Sequence, residues 1–122
     1  MNVTLWIGQA LLAVIFTVSG ALKSTQSRER MIETGQTAAN IVPLRYMRVA
    51  GVSELLGVLG VLLPWATGIA RVLTPVAAAG FGVIMILAAG VHSRLREPRN
   101  VLTNALILAL AVFVSWGRFA DL

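Results

Sequence analysis

One carboxylate dominates the chemistry this sequence could perform. Glu54 lies inside an apolar run from about Val49 to Ala66, and its nearest basic neighbour, Arg48, is six positions earlier. A carboxylate in hydrocarbon must be neutral, paired with a cation, or face a wet cavity. Such a group can exchange a proton, anchor a ligand, or bond two helices together. Three other polar residues share its level in the chain. Lys23 closes the first apolar run, His92 ends the third, and Asn104 sits about one turn into the fourth. A carboxylate, an imidazole, an ammonium and an amide at one level can line one pocket. Glu54 and His92 are then the acid/base candidates, and Lys23 and Asn104 the ligand-binding ones. Each also has a plainer reading: Lys23 as a snorkelling cation, His92 as an interfacial residue, Asn104 as a cap or helix bridge. Gln9, within the first run, is a packing contact or a further ligand contact. Arg118, near Asp121, reads as a snorkelling anchor.

These residues need elements to hold them, and composition says which. The chain has 122 residues, 57% hydrophobic and only 12% charged, about half the ~25% charge of soluble domains. Mean hydropathy is +0.84. A chain this short cannot hide so much apolar surface from water. Four apolar runs stand out: Val3–Leu22, about Val49–Ala66, Val72–Val91 and Val101–Gly117. Twenty residues at ~1.5 Å each cross one hydrocarbon core. The runs lack the alternation of barrel strands. Pro43 and Pro75 suit first helical turns. The spacing therefore predicts an all-α, integral membrane four-helix transmembrane bundle. It forms a single domain over 1–122, with helices at about 3–23, 43–64, 71–92 and 100–118. Residues 1–22 hold no Lys or Arg, so the first run reads as a retained helix rather than a cleaved leader.

Charge gives an orientation. Lys23, Arg28, Arg30, Arg45, Arg48, Arg94, Arg96 and Arg99 fall on one side of four spans, and Arg71 and Arg118 on the other. The positive-inside rule places the basic loops 24–42 and 93–100 in the cytoplasm and both termini outside. Trp6, Trp65 and Trp116 then share the outer interface. Residues 28–34 read as a short interfacial helix, and 64–71 as a tight turn. The net charge of +5 belongs to this topology and not to nucleic-acid binding, because the basic residues form no dense stripe. With one His, no Cys and scattered carboxylates, no metal site is expected, and a bis-histidine haem is impossible within one chain. Gly51, Gly57 and Gly60, with Glu54, recur every three residues along the second run and mark close helix packing. Four short helices bury little surface alone, so a homo-oligomer or a membrane partner protein is expected alongside lipid.

These features together resemble the DoxX-like family of small membrane proteins. The resemblance rests on Gly20 and Lys23, on Gly51-Val52-Ser53-Glu54-Leu55-Leu56-Gly57 through Gly60 to Pro64, and on Pro75, Ala77 to Gly80 and Met85. His92, Glu97, Asn104 and Trp116-Gly117-Arg118-Phe119 complete it, so it covers nearly the whole chain. It implies a four-helix membrane bundle, most simply in a bacterial cytoplasmic membrane. It implies association with membrane redox systems, including quinone-reducing thiosulfate oxidation, a mycobacterial oxidative-stress complex and, distantly, receptor assembly in animals. It leaves the cofactor open, with a small lipophilic ligand such as a quinone as one reading and Met85 among its contacts. The absence of cysteine removes any thiol relay within this chain. Two other readings stand beside it: a non-catalytic assembly subunit, and a membrane-embedded acid/base isomerase or hydrolase acting on an apolar substrate.

Overall fold

A computed structural model describes all residues, 1–122. The chain is all helix and contains no strand. Four long helices carry the architecture: α1 (Asn2–Thr25), α3 (Leu44–Thr67), α4 (Leu73–Arg94) and α5 (Pro98–Ala120). A short helix, α2 (Arg28–Glu33), and a 3-10 turn (Thr37–Asn40) fill the one long connection. All four long helices are long and apolar enough to cross a membrane. They form a ring in which α1 packs on α3, α3 on α4, α4 on α5, and α5 back on α1.

The core is narrow. Leu5, Leu12, Phe16 and Gly20 of α1 turn inward at seven- and four-residue spacings. Phe16 and Phe81 stack across the bundle centre, with ring centroids 3.9 Å apart and planes within 2°. Gly57 makes room for them, because a Cβ there would lie 2.6 Å from the Phe81 ring. Only 25 of 122 residues are buried, so most large aliphatic side chains face outward. Ile7, Leu11, Leu56, Leu63, Leu87 and Leu106 are among them. In water that surface would be a severe liability; against lipid it is the required one.

Pro64 departs from the sequence expectation. Instead of opening a turn it lies within α3, which continues to Thr67 and ends at Gly68 in the left-handed conformation, φ 74°. A proline inside a helix leaves the carbonyl four residues back without its N–H partner. Here that carbonyl is Gly60 O, and the Thr74 hydroxyl of α4 donates to it at 3.1 Å. Neighbouring hydroxyls make intramembrane prolines tolerable in this way. Ser115 of α5 donates similarly to Pro75 O at 3.0 Å.

The helices α1 and α3 approach each other backbone to backbone at Gly20 and Gly51. A Cβ on Gly51 would lie 2.7 Å from Lys23 Cβ and 2.9 Å from the Gly20 carbonyl, and backbone cannot yield. Gly90, by contrast, has nothing within 4 Å. Gly51→Ala is therefore expected to lower stability by about 1–3 kcal/mol. Gly90→Ala is expected to be neutral or to stabilise by up to about 1 kcal/mol through helix propensity. Thermal unfolding in detergent checks both; equal effects would mean that the α1–α3 contact is looser than described.

Candidate functional site

The Gly20–Gly51 contact sets up the central polar cluster. The helices α1 and α3 run antiparallel, and helical side chains lean toward their own N-terminus. Lys23, near the end of α1, therefore leans into the bundle, and Glu54 leans back to meet it. Lys23 Nζ lies 3.0 Å from Glu54 Oε2 and 3.3 Å from Oε1. Ser19, one turn before Lys23, donates its hydroxyl to Glu54 Oε1 at 2.7 Å. The Glu54 side chain is wholly buried and that of Lys23 is 12% exposed. Arg48 of α3 donates to the Lys23 carbonyl at 3.0 Å, closing the open end of α1. Of the three alternatives open to Glu54, the fold uses pairing, and the cation comes from another helix.

A second cluster lies at the same end of the bundle. His92 Nδ1 and Glu97 Oε1 are 2.7 Å apart, and the Thr37 hydroxyl donates to the same oxygen at 2.9 Å. The hydrogen bond from His92 holds the Glu97 carboxyl below the ordinary carboxylate range, against the opposing effect of desolvation; Thr37 and Asn100 add to the lowering. An ionised carboxylate only accepts, so His92 Nδ1 must donate, which leaves Nε2 as the free ring nitrogen. The turn that presents Glu97 is tight: Arg96 takes φ 58°, and the Glu97 amide bonds back to the His92 carbonyl at 3.0 Å. One carboxylate thus orients the imidazole and ties residue 37 of the long connection to the α4–α5 turn.

Between the two clusters lies a cavity of about 180 Å³. Its polar wall includes Ser19, Lys23, His92, Asn100 and Asn104, and its apolar wall Phe16, Met85 and Ile107. Four of the sequence candidates, Lys23, His92, Asn104 and Met85, therefore meet at one space. Glu54 does not line it; it stands behind Lys23 and Ser19 as their counter-ion and acceptor. Asn104 is 7% exposed, and its Nδ2 has no hydrogen-bond partner. A buried amide with no partner at all costs about 1–3 kcal/mol, so this one is a donor available to a water or a ligand in the cavity.

Residues 7–114 match the DoxX-like family. The chain belongs to the DoxX-like family. No curated protein and no solved structure matches it. Membership and four apolar helices together make it a membrane protein.

The remaining candidates of this DoxX-like chain lie at the opposite, tryptophan-bearing end. Gln9 donates to Val61 O at 2.8 Å and accepts from Arg118 Nε at 2.7 Å, so both ends of its amide are engaged. Arg118 does not snorkel. It is 1% exposed, donates to Asn2 Oδ1 at 2.9 Å and Asp121 Oδ2 at 3.3 Å, and lies against the Trp65 ring at 4.5 Å. Its position on the inward face of α5 keeps it from water, so Gln9 and the indole solvate it in part, while Nη2 has no hydrogen-bond partner. No three His, Cys, Asp or Glu side chains gather anywhere in the fold. Ser19, Thr37, Glu97 and Asn100 join the site without having been singled out for it. Ser19 precedes Lys23 by four and Glu97 follows His92 by five. The first spacing signals a shared helix face; the second depends on the turn and signals nothing by itself.

Two outcomes follow. Glu54→Leu leaves Lys23 without its counter-ion and is expected to cost about 3–5 kcal/mol, whereas the double variant Lys23→Met/Glu54→Leu recovers most of that loss. A double-mutant cycle on thermal stability measures the coupling, and additive losses would contradict a direct pair. For Glu97, a lowered folded-state value means stability that is fully present above the ordinary carboxylate range and is lost as pH falls through the lowered value. Amide exchange in the segment around Thr37 should accelerate on that acid limb in the wild type. In Glu97→Gln it should be fast at neutral pH and show no such acid transition.

Proposed function

We propose that this chain is a membrane component that binds the head of a small lipophilic ligand in the cavity at its basic end. A quinone-type ring is the chemical class that fits best. The observation that carries this reading is the unpartnered Asn104 amide on a cavity that also presents Lys23 and His92. Lys23 spends two contacts on Glu54 and has a further N–H to give. Asn104 Nδ2 has two. These donors suit a ligand with carbonyl or hydroxyl oxygens at opposed positions on a ring. Phe16, Met85 and Ile107 suit its apolar face. A volume of about 180 Å³ admits a single substituted ring and not a drug-sized ligand, which needs roughly 300 Å³ or more.

The proton chemistry is consistent with such a ligand. Two-electron reduction of a quinone ring consumes two protons. The electrons would come from a separate redox partner, and His92 would exchange protons through Nε2 while Glu97 holds its orientation. Glu54 would act indirectly, holding Lys23 in position through their ion pair. The basic end, with loops 24–42 and 93–100, would face the cytoplasm by the positive-inside rule.

The test is binding of a water-soluble, tailless benzoquinone to the detergent-purified protein, followed by calorimetry. Wild type should bind, and Asn104→Leu should bind about tenfold more weakly with unchanged helical content, the loss expected for one hydrogen-bond donor. Equal binding by the two proteins, or none by wild type, would overturn the reading.

A further inference from the structure

Lys23 and Ala88 face two spaces, not one. On one side is the polar cavity; on the other is an apolar cleft of about 200 Å³ between α3, α4 and the segment after α2. Apart from Lys23, the cleft wall is entirely hydrophobic, with Ala38, Val42, Ala50 and Ala88 leaving the room and Tyr46 and Leu87 at the edge. Tyr46 is 54% exposed and Leu87 66%, on the outward-facing surface of the bundle, so the cleft opens sideways toward lipid rather than along the bundle axis. A shallower depression of about 430 Å³ continues it past Val42, Tyr46, Leu87 and Val91 to Arg94.

We infer that the α3–α4 cleft holds the apolar chain of the ligand whose ring occupies the polar cavity, and that Lys23 and Ala88 are the partition the molecule straddles. This rests on the ring-binding reading and goes further by naming the ligand class as a single-chain amphiphile. The chemistry on the two sides of the partition is complementary to such a molecule: hydrogen-bond donors on one, hydrocarbon on the other. The small Ala88 side chain keeps the partition thin, and the lateral opening lets the chain remain in the bilayer while the ring is bound. A freely soluble polar ligand would have no use for the second space.

The cleft is tested by filling it. Ala50→Phe places a ring in the cleft, away from the polar cavity, and its binding is compared for two probes: the tailless benzoquinone and the same ring carrying a ten-carbon chain. The expected result is an affinity for the chain-bearing probe reduced by about tenfold or more through steric exclusion, with tailless binding unchanged. Unchanged binding of both probes would overturn the cleft assignment and leave the ring site standing. Failure of both probes on wild type would overturn the ring site and the cleft with it. Equal weakening of both probes by Ala50→Phe would mean that the variant disturbs the ring site, and the decision then passes to wild type. There, a chain-bearing probe with a photoreactive group beside the ring should label residues 38–50 or 84–91, and excess tailless probe should prevent it. Labelling confined to other segments, or insensitive to the competitor, would contradict the assignment and identify ordinary lipid-face contact.

Discussion

A carboxylate buried between membrane helices has to be answered, and the packing around Glu54 follows from that requirement. An ion pair pulled from water gains little net stability, but losing one partner strands a charge and is costly. The pair therefore fixes geometry more than it adds free energy. It sets the rotation of α1 relative to α3, because only one register brings Ser19 and Lys23 of α1 onto the carboxylate. Gly20 and Gly51 are the condition for that register, since side chains there would hold the helices apart. The same register turns Lys23 toward the cavity and its neighbour, the apolar cleft.

The opposite end solves the same problem with other materials. Arg118 is as deeply buried as Glu54, and it is met by an amide, an asparagine, a partly exposed carboxylate and an indole face. Gln9 links it to α3 through the Val61 carbonyl. Three helices are thereby tied at one end around a cation and two at the other around an anion, with stacked Phe16 and Phe81 between. The difference lies in what is left over. At the tryptophan end both ends of the Gln9 amide are engaged and Arg118 Nη2 is left without a partner, whereas at the basic end the unpartnered Asn104 amide lines a cavity. We propose the ligand site at the basic end because the unpartnered donor there lines a cavity.

The architecture was legible because hydrocarbon imposes long uncharged runs, and nothing in 122 residues could disguise four of them. Glu54 was legible for the same reason, as a charge out of place. The shared level of Lys23, Glu54, His92 and Asn104 could be counted along the chain, but helical rotation could not, so Glu54 was expected on the pocket wall and lies behind it. Arg118 misled because a basic residue near a helix end usually reaches the interface; only the three-dimensional placement shows its inward face. Pro64 suggested a turn, and the rescue of the Gly60 carbonyl by Thr74 is a contact between helices that no local pattern contains. Glu97 reaches His92 through the conformation of one tight turn, which is likewise invisible to spacing.

The central claim is that Glu54 is an ionised carboxylate held by Lys23 and Ser19. Infrared difference spectroscopy of wild type against Glu54→Gln in lipid tests it directly. The account predicts that the substitution removes a carboxylate stretching band, and that Lys23→Met shifts this band. Loss of a protonated carboxylic-acid band instead, unaffected by Lys23→Met, would show that Glu54 is neutral and unpaired, and would contradict the arrangement on which the proposed site depends.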